Sequence, residues 1–231
     1  MSEMDVAPLL RTGIVSLRDV RCDGLCSHRT PEEFASATHL VFPYRGIYLR
    51  HVGSDQAVAD ANHVLFFNAE EGYQVSHPVA GGDSSLSLSL SDSILRELAP
   101  GGILNRRAIA GFRRQHQGID PRAQALVALL RHGLNHGTIE PLEAEGLTLT
   151  LVCRSLGPRT SHQSRATHGK RRLTDRVKVL LAGDLSRRWT LAEIAAEIRG
   201  SPVYLTQVFR QVEGIPLYRY HLRLRLARAL D

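Results

Sequence analysis

Three groups of residues in this 231-residue chain have side chains whose type and spacing suit chemistry. Cys22-x3-Cys26-x-His28 offers two thiolates and an imidazole, donors that suit zinc or copper. The spacing is not that of a standard zinc knuckle and no fourth ligand is obvious, so two ordinary reduced cysteines are the plainer reading and no cofactor is expected. His39, His51, His63 and His77 recur through a run of short apolar segments. In a barrel such histidines can converge on a metal, but a tight His-x-His pair with a following acid is missing, and alternation would turn several outward. They are expected at the surface or on a pocket wall rather than in an enzymatic centre. The third group lies on one helical face: Val203, Thr206, Gln207 and Arg210 fall opposite an apolar stripe of Leu205, Val208, Phe209 and Val212. A glutamine amide can both donate to and accept from an adenine edge, and Val203 and the Thr206 methyl can rest on a thymine methyl. Arg210 is better placed to clamp a phosphate than to read a base. Any amphipathic surface helix has a polar face, so helical geometry alone leaves the choice open. No serine nucleophile elbow, P-loop or dinucleotide fingerprint is present.

The elements that must position these residues follow from periodicity. Between about Thr38 and Ser91, short apolar runs alternate with turn signals. They are His39–Phe42 before Pro43, Ile47–Val52, Val64–Phe67, Tyr73–His77 and Ser85–Ser91. In the last run Leu86, Leu88 and Leu90 share one buried face, with serines on the other. Such spacing predicts an antiparallel barrel or sandwich. The period then changes. Pro121 opens a helix with Ala125, Leu126, Leu129, Leu130 and Leu134 at helical spacing. Pro141 opens another with Leu147, Leu151 and Val152, on whose stripe Cys153 is expected to be buried. This helical hairpin must cover the barrel, a partner subunit, or both. Residues 158–172 read as a polar, basic linker between an N-terminal domain (1–157) and a C-terminal one (173–231). In the latter, Leu173, Val177, Leu180 and Leu181 share a helix face that ends near Gly183. Thr190 and Glu193 form a capping box, and Leu191, Ile194, Ala195 and Ile198 follow. Arg199-Gly200 turns the chain, Ser201 caps the next helix with Pro202 at its first position, and Gly214 ends it. Two short helices around a glycine-containing turn make a helix-turn-helix.

Composition narrows the classes. With 43% hydrophobic, 23% charged and 6% aromatic residues the chain can bury a real core, which argues against wholesale disorder. No apolar run is long enough to span a bilayer, the N-terminus lacks a basic signal-like region, and three cysteines are too few for a disulfide framework. A cytoplasmic protein without a membrane partner is the expectation. The net charge of +6 is unevenly spread: from Arg154 onward 16 Lys/Arg face 6 Asp/Glu, a net of +10, whereas the first 153 residues carry a net of −4. A basic third beside a mildly acidic remainder suggests that one part meets a polyanion. Only two of the 29 basic residues are lysine, so arginine bias contributes, but bias does not explain the scarcity of acids at one end.

Thr190-Leu191-Ala192-Glu193-Ile194-Ala195, Ser201-Pro202-Val203-Tyr204-Leu205-Thr206-Gln207-Val208-Phe209-Arg210, Gly214-Ile215-Pro216-Leu217-Tyr218-Arg219-Tyr220 and Arg225-Leu226-Ala227-Arg228-Ala229-Leu230 together resemble the DNA-binding domain of AraC/XylS-type transcriptional regulators over about 60 residues. The resemblance implies that Ser201–Val212 is a recognition helix with Val203, Thr206 and Gln207 in base-facing positions. The implied DNA-contacting set is Ser201, Val203, Tyr204, Thr206, Gln207 and Arg210. It also implies that Leu217–Leu230 links to a second helix-turn-helix, which would lie beyond Asp231, so the sequence is expected to be either a natural short form or a fragment. That linking helix is then expected to fray towards Leu230. The N-terminal part is similar to the family's cupin-like effector and dimerisation domain. The expected fold is therefore α+β: an antiparallel, cupin-like β-barrel with a helical hairpin, then an all-α helix-turn-helix domain. The expected function is sequence-specific regulation of transcription without enzymatic activity, with double-stranded DNA, a small-molecule effector bound in the N-terminal barrel, a second copy of the chain and RNA polymerase as partners. The alternative is a metal-dependent cupin enzyme with an appended basic helical domain.

Overall fold

In a computed structural model, residues 4–105, 109–157, 162, 164 and 166–231 are described. Two antiparallel sheets lie face to face. The larger has strand order β1 (Met4–Arg11), β2 (Val15–Cys22), β9 (Asp83–Leu90), β4 (His39–Arg45), β7 (His63–Phe67) and β10 (His116–Gly118). The smaller has β3 (Glu33–Phe34), β8 (Gly72–Ser76), β5 (Tyr48–Val52) and β6 (Asp55–Ala59). Register explains the alternation in β9. Leu86 and Leu88 pair with Phe42 and Leu40 on one face, and Ser87 pairs with Val41 on the other. The leucine face is buried under helices. The serine face is buried as well, between the sheets, with Val41, Tyr48, Ala59, Leu65 and Phe67. β1 and β2 precede every strand expected from the sequence. β1 is an exposed edge strand, where Pro8 is tolerated beside a register irregularity.

The outer face of the larger sheet is covered by α1 (Asp92–Leu98), α2 (Pro121–Asn135) and α3 (Pro141–Leu156). Asp120 caps α2, its carboxylate accepting from Ala123 N at 3.0 Å. The buried face of α2 is Ala123, Val127 and Leu130. Ala125 and Leu129 are exposed, contrary to expectation, because the inward direction is set by the sheet and lies one residue out of phase with the stripe drawn through them. Cys153 is also exposed rather than core. The inward face of α3 is set by Ala144, Thr148, Leu151, Val152 and Ser155, and Cys153, nine residues beyond Ala144, lies half a turn away.

The C-terminal unit is all-helical: α4 (His168–Gly183), α5 (Leu191–Glu197), α6 (Pro202–Glu213) and α7 (Leu217–Leu230). α4 begins five residues before the expected end of the linker, so residues 168–172 are helix. Much of the remaining linker lies outside the described residues. Val177, Leu181, Ile194, Leu205, Phe209, Tyr220 and Leu224 form one core, which Ala61 joins from the turn between β6 and β7. Contacts at the α7 end run against the expected fraying. His132 Nε2 lies 3.0 Å from the Leu230 carbonyl, and Arg131 on α2 pairs with Asp231 at 3.0 Å while stacking 3.2 Å over the Tyr44 ring. The sandwich side thus supplies the contacts that close the last turn.

Candidate nucleic-acid interface

The recognition-type helix α6 is built by local signals. The Ser201 hydroxyl accepts from Tyr204 N at 3.5 Å, Pro202 occupies the first turn, and Gly214 closes the helix at φ 73°. α5 begins with a complete capping box. Glu193 N donates to the Thr190 hydroxyl at 3.2 Å, and Thr190 N donates to the Glu193 carboxylate at 2.7 Å. The Thr190 hydroxyl, which donates to Glu193 Oε2 at 2.6 Å, and then the Thr190 N–H hold the Glu193 carboxyl down at about 2, with Arg187 adding to them. In the turn between the helices the left-handed residue is Arg199, at φ 55°, not its neighbour Gly200.

Burial of Leu205, Val208 and Phe209 fixes how α6 is rotated. Val203 is 65% exposed and Tyr204 49%, and Ser201, Thr206, Gln207 and Arg210 are exposed with them. The structure therefore gathers all six residues on one helix and leaves them accessible. Their individual roles differ. Ser201 is occupied as a cap, and the Thr206 hydroxyl donates to the Val203 carbonyl at 2.8 Å, which leaves its methyl as the outward group. Among the described residues Arg210 has no ion-pair partner within 4.0 Å.

Behind this helix is a buried polar seam that the sequence did not reveal. Lys178 on α4 is 2% exposed, and its ammonium lies 2.7 Å from Glu213 Oε1 at the end of α6. Glu213 Oε2 lies 3.3 Å from His63 Nε2, and His63 Nδ1 lies 2.8 Å from Asp60 Oδ1. The Tyr220 hydroxyl donates to Asp60, and Asn62 Nδ2 donates to the Tyr220 carbonyl at 3.1 Å. Asp60, Asn62 and His63 belong to the sandwich, and Lys178, Glu213 and Tyr220 to the helical unit. Burial pushes the Glu213 carboxyl up, but Lys178 and His63 outweigh it and hold it well below the carboxylate range. Burial and Lys178 lower the His63 pKa, but Asp60 and Glu213 raise it more, so it lies above the ordinary histidine value. His116, next to it, is pushed down to about 3 by burial, with His63 and Lys178 adding to the effect. One hint was present in the sequence: Lys178, one of two lysines in the chain, follows directly on the stripe residue Val177.

A cavity of about 530 Å³ opens along this seam. Its walls include Arg113 and His116 from the sandwich side, and Arg171, Lys178, Glu213 and Arg223 from the helical side. Arg113 and Arg171 donate to backbone carbonyls, and among the described residues neither has a carboxylate within ion-pair distance. The space between the two sheets is occupied by Tyr48, Phe67 and Tyr73 around Arg50. That guanidinium is fully buried, stacks 4.0 Å from the Phe67 ring and pairs with Glu71 at 3.1 Å.

The histidines do not converge. His51 Nε2 lies 2.9 Å from the Ser76 hydroxyl, His63 joins the seam, and His77 Nε2 lies 2.7 Å from Asp83 Oδ2. These three are buried rather than on the surface, His63 lines the seam cavity as the pocket-wall expectation allowed, and His39 is half-buried. Cys22 is brought together with His77 and Asp83, and neither Cys26 nor His28 belongs to that cluster. No helix among the described residues is long and apolar enough to cross a membrane.

No family model matches the chain, and no curated protein matches it. Among solved structures, 38% of the chain is similar to a cupin superfamily protein from Desulfitobacterium hafniense DCB-2, with 14% identity, 77% of that chain covered and a TM-score of 0.32. A similar share resembles the EutQ protein of Clostridium difficile, with 8% identity, 68% of that chain covered and a TM-score of 0.33. Over 96% of its length the chain is similar to unsaturated fatty acid-bound ToxT from Vibrio cholerae strain SCE256, with 10% identity, 82% of that chain covered and a TM-score of 0.45.

Proposed function

We propose that this chain is a sequence-specific DNA-binding transcriptional regulator of the AraC/XylS type, acting in the cytoplasm as a homodimer. The observation that carries this reading is α6: a capped helix, fixed in rotation by Phe209, that presents Val203, Tyr204, Thr206, Gln207 and Arg210 to solvent within the basic third of the chain. Gln207 reads a base edge, Val203 and Thr206 make apolar contacts beside it, and Arg210 neutralises a phosphate. The effector site is the seam cavity rather than the space between the sheets. A ligand there touches both the sandwich and the end of α6, and Arg113, Arg171 and Arg223 favour one bearing a carboxylate or phosphate. Dimerisation uses what the sheet leaves free on α2 and α3, including Leu129 and Leu142. RNA polymerase is the further partner that such a regulator would contact.

The test is binding to the operator recovered by sequencing genomic DNA bound to the purified chain. Gln207→Ala is expected to weaken operator binding by about 1–3 kcal/mol, relaxing preference at one base pair, with little change on random duplex. Arg210→Ala is expected to weaken both and to lower the salt slope by about one. Equal losses on operator and random DNA for Gln207→Ala would reject its role as a reader. Absence of any duplex binding at low salt would reject the function.

A further inference from the structure

Cys22, His77 and Asp83 come from three places in the chain and meet at one end of the sandwich. Cys22 closes β2 and Asp83 opens β9, and the two are direct cross-strand partners. His77 follows β8, and its backbone N–H donates to the Cys26 carbonyl at 2.9 Å, which ties the β8–β9 loop to the segment after β2. One donor atom from each residue lies within 4.8 Å of the other two, with His77 and the Asp83 carboxylate buried. The backbone closes tightly around them. Gly24 and Gly82 both have positive φ, a Cβ on Gly82 would stand 2.2 Å from the Cys22 carbonyl, and one on Gly24 would stand 2.7 Å from the Gly82 Cα. Only glycine permits both the conformation and the approach. His77 Nε2 lies 2.7 Å from Asp83 Oδ2, so a ring nitrogen and a carboxylate oxygen already face each other at the place a cation would occupy.

We propose that Cys22, His77 and Asp83 form a site for a divalent cation of the zinc class. A thiolate, a neutral imidazole and a carboxylate together carry two negative charges, which a divalent cation cancels in a buried place. The mixture of soft and borderline donors suits zinc and not the oxygen-seeking calcium or magnesium. Three protein ligands leave a fourth tetrahedral position open to solvent or to an external ligand. The set differs from the Cys22-x3-Cys26-x-His28 grouping suggested by sequence proximity: it keeps Cys22 and takes its other members from across the sheet and the next loop. Its position also matters for signalling. Val79–Gly82, immediately before Asp83, forms one wall of a second cleft of about 490 Å³, whose opposite wall includes Ala182, Leu185, Leu224, Arg225 and Arg228 of the helical unit. A cation bound at Asp83 and His77 fixes both ends of that loop and so the shape of the sandwich side of the cleft. The site stands on its own geometry, whether or not α6 reads DNA.

The experiment uses the full chain, chelator-treated and reduced, titrated with zinc against a chromophoric indicator and, separately, with cobalt(II). One equivalent of zinc is expected to bind. Cobalt(II) should give the ligand-field bands of a four-coordinate site with a thiolate-to-metal charge-transfer band. Cys22→Ser is expected to abolish the charge-transfer band, and Cys22→Ser and Asp83→Asn are each expected to weaken zinc binding by roughly tenfold or more. Cys26→Ser and His28→Ala are expected to retain both the band and the affinity. Matched urea unfolding of the metal-free variants separates loss of ligand from loss of fold. Failure of the unsubstituted chain to take up stoichiometric zinc overturns the proposal and leaves His77 and Asp83 as a hydrogen-bonded pair. A charge-transfer band that survives Cys22→Ser and disappears with Cys26→Ser overturns it in favour of the proximal cysteine.

Discussion

Lys178→Ala is expected to destabilise the chain by about 3–5 kcal/mol, the range for removing one member of a buried ion pair. The lysine is 2% exposed and its ammonium is 2.7 Å from Glu213. Without it, Glu213 and Asp60 remain buried with His63 as their shared cation, and both carboxylates have been taken out of water. Replacing Lys178 and Glu213 together by methionine and leucine is expected to recover much of the loss, because the desolvation term then disappears along with the attraction. The same seam sets a pH dependence. The His63 pKa is raised in the fold, so its contribution is complete below the ordinary histidine value of about 6.5 and is lost as pH rises through the raised value. His116 is pushed down to about 3 and stays neutral in the fold, while an exposed histidine takes up a proton below about 6.5. Its contribution therefore falls as pH drops from about 6.5 towards 3. The two together place greatest stability near the ordinary histidine range, with a decline on either side. Urea unfolding of the unsubstituted chain and of Lys178→Ala across that range checks both statements. A variant within about 1 kcal/mol of the unsubstituted chain would show that the seam is solvated.

The parts of the fold that could be read from the sequence are those in which local signals agree with tertiary direction. In β9, strict alternation of serine and leucine marks a strand, and its register with β4 confirms which face meets the helices. In α5 and α6, Thr190 with Glu193 and Ser201 with Pro202 mark the start of each helix, Gly214 marks the end of α6, and the stripe through Leu205, Val208 and Phe209 is the buried one. What escaped the sequence was directional or non-local. The phase of α2 is set by the sheet beneath it, and Ala125 and Leu129 satisfy a helical period without facing inward. β1 carries a proline and is exposed on its edge, so neither alternation nor composition marks it. β6 and β10 are short and take their identity from their partners.

The same distinction separates two classes of site residue. Gln207 and Arg210 lie on one helix, and a single angular argument places them together. Asp60, His63, Lys178, Glu213 and Tyr220 come from both domains, up to 160 residues apart, and no spacing rule connects them. Cys22, His77 and Asp83 are intermediate. The sequence singled out Cys22 and His77 for their chemistry but grouped Cys22 with Cys26 and His28 and grouped His77 with the other histidines of the apolar segments, whereas strand register groups Cys22 with Asp83.

Phe209→Ala is expected to remove about 3–5 kcal/mol from the helical unit. Phe209 is fully buried, is the largest side chain on the α6 stripe, and meets the Tyr220 ring edge-on with centroids 5.2 Å apart. The substitution opens a void between α4, α5, α6 and α7, where backbones fixed by caps at both ends of α6 resist collapse. The effect should reach beyond the void. Tyr220 also donates to Asp60 across the seam, and Ala61 of the sandwich belongs to the same apolar cluster, so loosening the ring pair loosens the seat of the helical unit on the sandwich. Phe209→Leu keeps most of the volume and is expected to lose about 1–2 kcal/mol, mainly from the aromatic pair and imperfect filling. Hydrogen exchange of the full chain provides the readout. In Phe209→Ala the amides of α5, α6 and α7 should lose protection together, and those of β4 and β9, whose core lies under α2 and α3, should keep theirs. Protected α6 amides at an unfolding midpoint unchanged from the unsubstituted chain would mean that the stripe does not hold the helix in place, and the rotation assigned to Gln207 and Arg210 would fall with it.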